Sequence, residues 1–174
     1  SDATLITDDW QAVEIDWQAA STPGANNGYI KLRIGDQIVR SIENIDSDNQ
    51  SITSIMWGPN ADTFAASGTM YFDAFASYKG NHIGLDPNGP AVSPAPARPN
   101  LMFADTFESG DLSNWNLNLS TLDGGDLSAS ALAARQSNFG LQALIDDLIK
   151  IKLLETSPVD ETEYHARFYF HPNS

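Results

Sequence analysis

Gly68-Thr69-Met70-Tyr71-Phe72-Asp73-Ala74-Phe75 reads as a strand, and it precedes Phe103-Ala104-Asp105-Thr106-Phe107-Glu108-Ser109-Gly110-Asp111-Leu112-Ser113-Asn114-Trp115. Side chains of an extended chain alternate with period two. Met70, Phe72 and Ala74 are therefore expected on one face, with Tyr71, Asp73 and Phe75 on the other. The second segment opens as a short strand at 101–107 and runs into a Ser-Gly-Asp turn. Between the two lie Pro87, Pro90, Pro94, Pro96 and Pro99, five of the nine prolines of the chain. Proline lacks a backbone donor and fixes φ, so such runs serve as semi-rigid spacers. The pattern divides the chain into a unit at 1–78, a linker at 79–100 and a unit at 101–174.

Outward from this boundary the chain continues to read as strands. Val13, Ile15 and Trp17 alternate with Glu14, Asp16 and Gln18, which predicts a half-buried strand with the carboxylates facing solvent. Ile30, Leu32 and Ile34 alternate with Lys31 and Arg33, and Gly35-Asp36 turns that strand into a hairpin with 37–42. Further strands are expected at 52–58, 70–77, 127–131, 141–145 and 149–155. The clearest is 164–170, where Tyr164, Ala166, Phe168 and Phe170 alternate with His165, Arg167 and Tyr169. Residues 129–135 have the propensity for a short helix, but their neighbours are regularly spaced strands and strand is the expectation. Many short strands with Gly, Asn and Asp turns predict an all-β sandwich.

Composition narrows the function. The 174 residues carry 23 acids against 9 bases, a net charge of −14. Binding to nucleic acid needs Lys/Arg patches, so nucleic acid is excluded as an expected partner. No apolar run approaches the ~20 residues of a membrane helix, and no membrane insertion is expected. Without cysteine there is no disulfide, thiol nucleophile or Cys-based zinc site. The chain opens at Ser1 with no initiator Met and no basic-then-apolar signal segment, which reads as an internal or processed start.

Three stretches together resemble the C-terminal half of concanavalin A-like jelly-roll domains, including the laminin G-like modules of bacterial surface proteins. They are Trp10-Gln11-Ala12-Val13-Glu14-Ile15-Asp16-Trp17, then Gly28-Tyr29-Ile30-Lys31-Leu32-Arg33-Ile34-Gly35-Asp36, then 68–75. Residues 103–115, Gly140-Leu141-Gln142-Ala143-Leu144 and 164–170 resemble the N-terminal half of the same kind of domain. The resemblance implies an antiparallel jelly-roll sandwich, incomplete or circularly permuted, because the closing strand comes first and the middle strands are absent. It also implies an extracellular or cell-surface setting, a tandem-domain parent and exposed sheet edges through which the chain self-associates. The superfold hosts many activities, so the likeness speaks to fold more than to function.

Glu14-Ile15-Asp16 is the catalytic candidate. The laminarinase and lichenase branch of this superfold carries Glu-x-Asp-x-x-Glu, with the outer glutamates about 5–5.5 Å apart as nucleophile and acid/base. Here Ala19 stands at the third position, and a missing proton donor argues against catalysis. Asp73, Asp105, Glu108 and Asp111 form the metal candidate, since pairing of the first and last strands brings carboxylates together and Ca²⁺ takes six to eight oxygens. A structural calcium is the implied cofactor. The alternative for these acids is turn capping and backbone bonding. Trp10, Trp57, Tyr71 and Trp115 are the candidates for stacking on sugar rings, while Trp17 follows the apolar alternation into the core. His82, His165 and His171 show no ligand spacing and read as surface residues. The resulting expectation is a non-catalytic module for adhesion or binding of glycan or a surface protein. The alternatives are a remnant of a polysaccharide-active hydrolase or lyase, and a purely structural repeat.

Overall fold

The computed structural model describes residues 6–59, 67–80, 82–85, 100–116 and 122–173. It is all-β. The strands are β1 (Gln11–Gln18), β2 (Gly28–Ile34), β3 (Gln37–Ile45), β4 (Ile55–Trp57), β5 (Gly68–Tyr78), β6 (Leu101–Asp105), β7 (Leu127–Ser130), β8 (Gly140–Ile145), β9 (Leu153–Glu155) and β10 (Glu163–His171). Every pairing is antiparallel. The large sheet has the order β3-β2-β1-β10-β5-β8-β7, with β6 also on β5, and β4-β9 form a small second sheet. Strand β10 thus lies between β1 and β5, so strands from 11–78 and from 101–171 share one sheet. Residues 86–99 of the Pro-rich stretch lie outside the described residues.

Strand β5 organises the sheet, and an irregularity at its centre explains how. Tyr169 opposes Asp73 and Arg167 opposes Ala76, so β5 carries an extra residue there, with Ala74 at φ 51°. A bulge of this kind breaks the two-residue alternation. Phe72 and Phe75 consequently both enter the main core, against the expectation that they face opposite ways, while Ala74 packs with Ala12 and Tyr169. The bulge also divides one edge of β5: β8 pairs up to Phe72, and β6 pairs from Phe75 onward. Strand β6 beside the end of β5 is the neighbour relation expected of the first and last strands.

The core lies between the β5/β10 region and the small sheet. Trp57 of β4 is 8% exposed, and its ring meets Phe72, Phe75, Phe168 and Trp115 at 5.0–5.4 Å between centroids. Burial of aromatic rings at this density is the principal stabilising term. Among the described residues the second layer does not extend over β1–β3. There Ile15, Ile30 and Ile42 are 38%, 37% and 63% exposed.

Local turns follow composition. Gly35 (φ 59°) permits the tight β2–β3 hairpin. The 129–135 stretch divides: β7 ends at Ser130, whose hydroxyl accepts from the Leu132 amide and caps one 3₁₀ turn at Ala131–Ala133.

Candidate functional site

Strand β1 presents Glu14 and Asp16 on the face it shares with Arg33 of β2 and with His165 and Arg167 of β10. The sequence pattern turns the two acids to solvent. The structure buries them, at 2% exposure each, and leaves Ile15 more open. The reason is a strap. The chain leaving β5 crosses this polar face, and the face closes on it. Glu14 accepts from the Ile83 amide (2.6 Å) and the Gly84 amide (3.0 Å) and bonds His82 Nδ1 (2.8 Å). His165 Nε2 meets the Gly80 carbonyl at 3.0 Å, and an Arg167 terminal nitrogen donates to the Gly84 carbonyl at 2.8 Å.

Beneath the strap, Asp16 bonds His165 Nδ1 (2.7 Å) and accepts from Arg33 Nε (2.8 Å). Burial pushes the Asp16 carboxyl up, but His165 and Arg33 outweigh it and hold the group at about 2. Burial works to lower His165, and the carboxylates of Asp16 and Glu163 raise it above its ordinary value. His165 is only 2% exposed, so the surface position expected for it is corrected. Alternation places His165 on the polar side of its strand, but its register opposite Asp16 and the strap that covers both are set by tertiary structure.

Glu14, Asp16 and His165 bring ligand-type atoms within 4.8 Å of one another. The chemistry of the set does not fit a metal, because Arg33 and two backbone amides already neutralise or occupy the carboxylate oxygens. Both Glu14 oxygens accept hydrogen bonds from the strap, and Ala19, which stands at the third position of the glucanase-like pattern, is itself buried.

The four acids expected to hold calcium accept hydrogen bonds from within the chain, and the Ser137 hydroxyl serves both Asp73 and Glu108. Asp73, fully buried at the bulge, accepts from the amides of Ala74 (2.7 Å) and Arg135 (3.0 Å) and the Ser137 hydroxyl (3.3 Å). Burial pushes it up to about 6 against those donors. Asp105 accepts from the Phe107 amide (2.8 Å) and Trp115 Nε1 (2.7 Å). Glu108 caps the amides of Asn138 and Phe139, both at 2.9 Å, and Asp111 caps Ser113. A different trio, Asp123, Asp146 and Asp147, does place carboxylates within 4.8 Å of one another at the surface.

Of the four aromatic candidates, Trp57 and Trp115 are core residues, 8% and 4% exposed, with no ring face for a ligand. Tyr71 is half-buried beside His171, at 6.2 Å between centroids. Trp10 alone lines an open groove, of about 460 Å³, with Gln11, Ala12, Ile34, Gly35, Leu85, Arg135 and Tyr169. Leu85 of the strap forms one wall of the groove, and Ala12 and Tyr169, paired across β1 and β10, form the floor. No helix among the described residues is long and apolar enough to cross a membrane. No protein-family model, curated protein or solved structure matches the chain.

Proposed function

We propose that the chain is a non-catalytic jelly-roll module of the concanavalin A-like kind, belonging to a larger extracellular or cell-surface protein, and that it binds glycan in the groove beside Trp10. The observation that carries this is the groove itself. Its volume, about 460 Å³, is in the range of small-ligand clefts, and its lining combines aromatic rings with few polar groups. A half-buried Trp at the mouth offers a flat apolar surface of the sort that sugar rings stack on. The seating of β10 between β1 and β5 supports a circularly permuted sandwich over two unrelated halves. The non-catalytic reading rests on Glu14 and Asp16, whose oxygens are committed to the strap, Arg33 and His165.

The test is titration of oligosaccharides against intrinsic Trp fluorescence and by calorimetry, with Trp10→Ala beside the wild type. Trp10 lies outside the main core, so the variant is expected to fold and to bind about tenfold or more weakly. Unchanged affinity in Trp10→Ala, or a protein that binds no glycan, refutes the assignment.

A further inference from the structure

Resting on the glycan reading above, we infer that the groove selects saccharides bearing a carboxylate, the uronic acids, and that Arg135 is the residue that reads the charge. Among the described residues Arg135 is the only charged side chain in the groove lining. Its guanidinium lies 3.7 Å from the centroid of the Tyr169 ring, on the groove floor. Its side chain bonds the Gln136 amide oxygen (3.2 Å), and no carboxylate among the described residues lies within ion-pair distance of it. Stacking on an aromatic ring fixes the plane of a guanidinium and leaves the N–H groups along its edge free to meet a planar carboxylate in bidentate fashion. The root of the side chain is also fixed, because the buried Asp73 holds the Arg135 backbone amide at 3.0 Å.

A second, independent observation is Arg167. It is 6% exposed, its Nε has no hydrogen-bond partner, and its guanidinium lies 5.5 Å from the same Tyr169 ring. Glu14, directly across from it on β1, has its oxygens engaged by the strap. Arg167 is thus a second cation at this ring, with no carboxylate among the described residues within ion-pair distance, and the charge of Glu14 across the register offsets part of its potential. The protein as a whole is strongly acidic, which opposes a polyanion at long range. That field is screened within about 8 Å at physiological salt, so the contact-range guanidinium decides the selection.

The experiment compares oligogalacturonate and oligomannuronate with their carboxyl-reduced, neutral counterparts, by calorimetry on the whole chain at physiological salt. The acids are expected to bind about tenfold or more tightly than the neutral forms. Arg135→Gln should erase that preference and retain weak binding of the neutral sugars. Arg135→Lys should restore part of it, since a point charge replaces the fork. An unchanged melting temperature shows that each variant folds. Equal affinity for acid and neutral forms, or a preference that survives Arg135→Gln, overturns the charge selection and leaves glycan binding standing. Absence of binding to every sugar overturns both.

Discussion

Gly140 shows how tightly single residues are fixed in this sandwich. A Cβ built there would lie 2.0 Å from the Ala133 carbonyl oxygen and 2.9 Å from that of Phe72, both rigid backbone atoms. Gly140→Ala is expected to lower stability by about 1–3 kcal/mol, read as a fall in denaturation midpoint at unchanged m-value. The Asp16–His165 pair sets a pH window. Asp16 titrates below its ordinary 3.8, so its contribution is complete above that value and is lost as pH falls through about 2. His165 titrates above its ordinary 6.5, so its contribution is complete below 6.5 and is lost as pH rises through the raised value. Both act together between about pH 4 and 6.5. The stability difference between wild type and His165→Gln should be largest in that interval and shrink on the alkaline side. A difference independent of pH contradicts the pairing.

At the scale of elements, the strap and the polar face depend on each other. Glu14 supplies acceptors to two consecutive amides, Ile83 and Gly84. Glu14→Gln removes the charge and one acceptor, and a hydrogen bond to a charged group is worth about 1.5–3 kcal/mol. Hydrogen exchange at the Ile83 and Gly84 amides should accelerate by about tenfold or more, while amides shared by β1 and β10 keep their protection. Equal loss across both strands would mean that the strap is not a separate opening unit. The strap was not legible in the sequence. Residues 80–85 follow the well-formed β5 and lead into the prolines, so they read as the start of a linker. Alternation correctly assigned Val13–Trp17 to a strand, but it could not say which face would be covered. That depends on contacts between Glu14 and residues nearly seventy positions later.

For the whole molecule, the uneven second layer is the dominant feature. The small β4-β9 sheet packs through Trp57 over β5 and β10, whereas β1–β3 keep Ile15, Ile30 and Ile42 open, and β3 ends the sheet. Among the described strands β3 has a neighbour on one side only, and a sheet edge with apolar side chains is a template for pairing with another chain. Sedimentation velocity should show concentration-dependent association of the isolated chain, and Ile42→Lys on the edge strand should reduce it. A monomer at every concentration would count against edge pairing.

Period-two alternation and Gly/Asp turns determined the class, the strands at β1, β2, β5 and β10, and the hairpin at Gly35, because these are local properties of side-chain order and backbone freedom. The reading of 68–75 as a closing strand and 101–107 as an opening strand set the two side by side, as β5 and β6 are. The tertiary structure alone decided three matters. It seated β10 between β1 and β5, buried Glu14, Asp16 and His165 under the strap, and sent Trp57 and Trp115 to the core while Trp10 stayed at a groove. Each turns on which distant segment covers a given face. A pattern of alternating side chains defines two faces of a strand, and only packing settles which of them meets water.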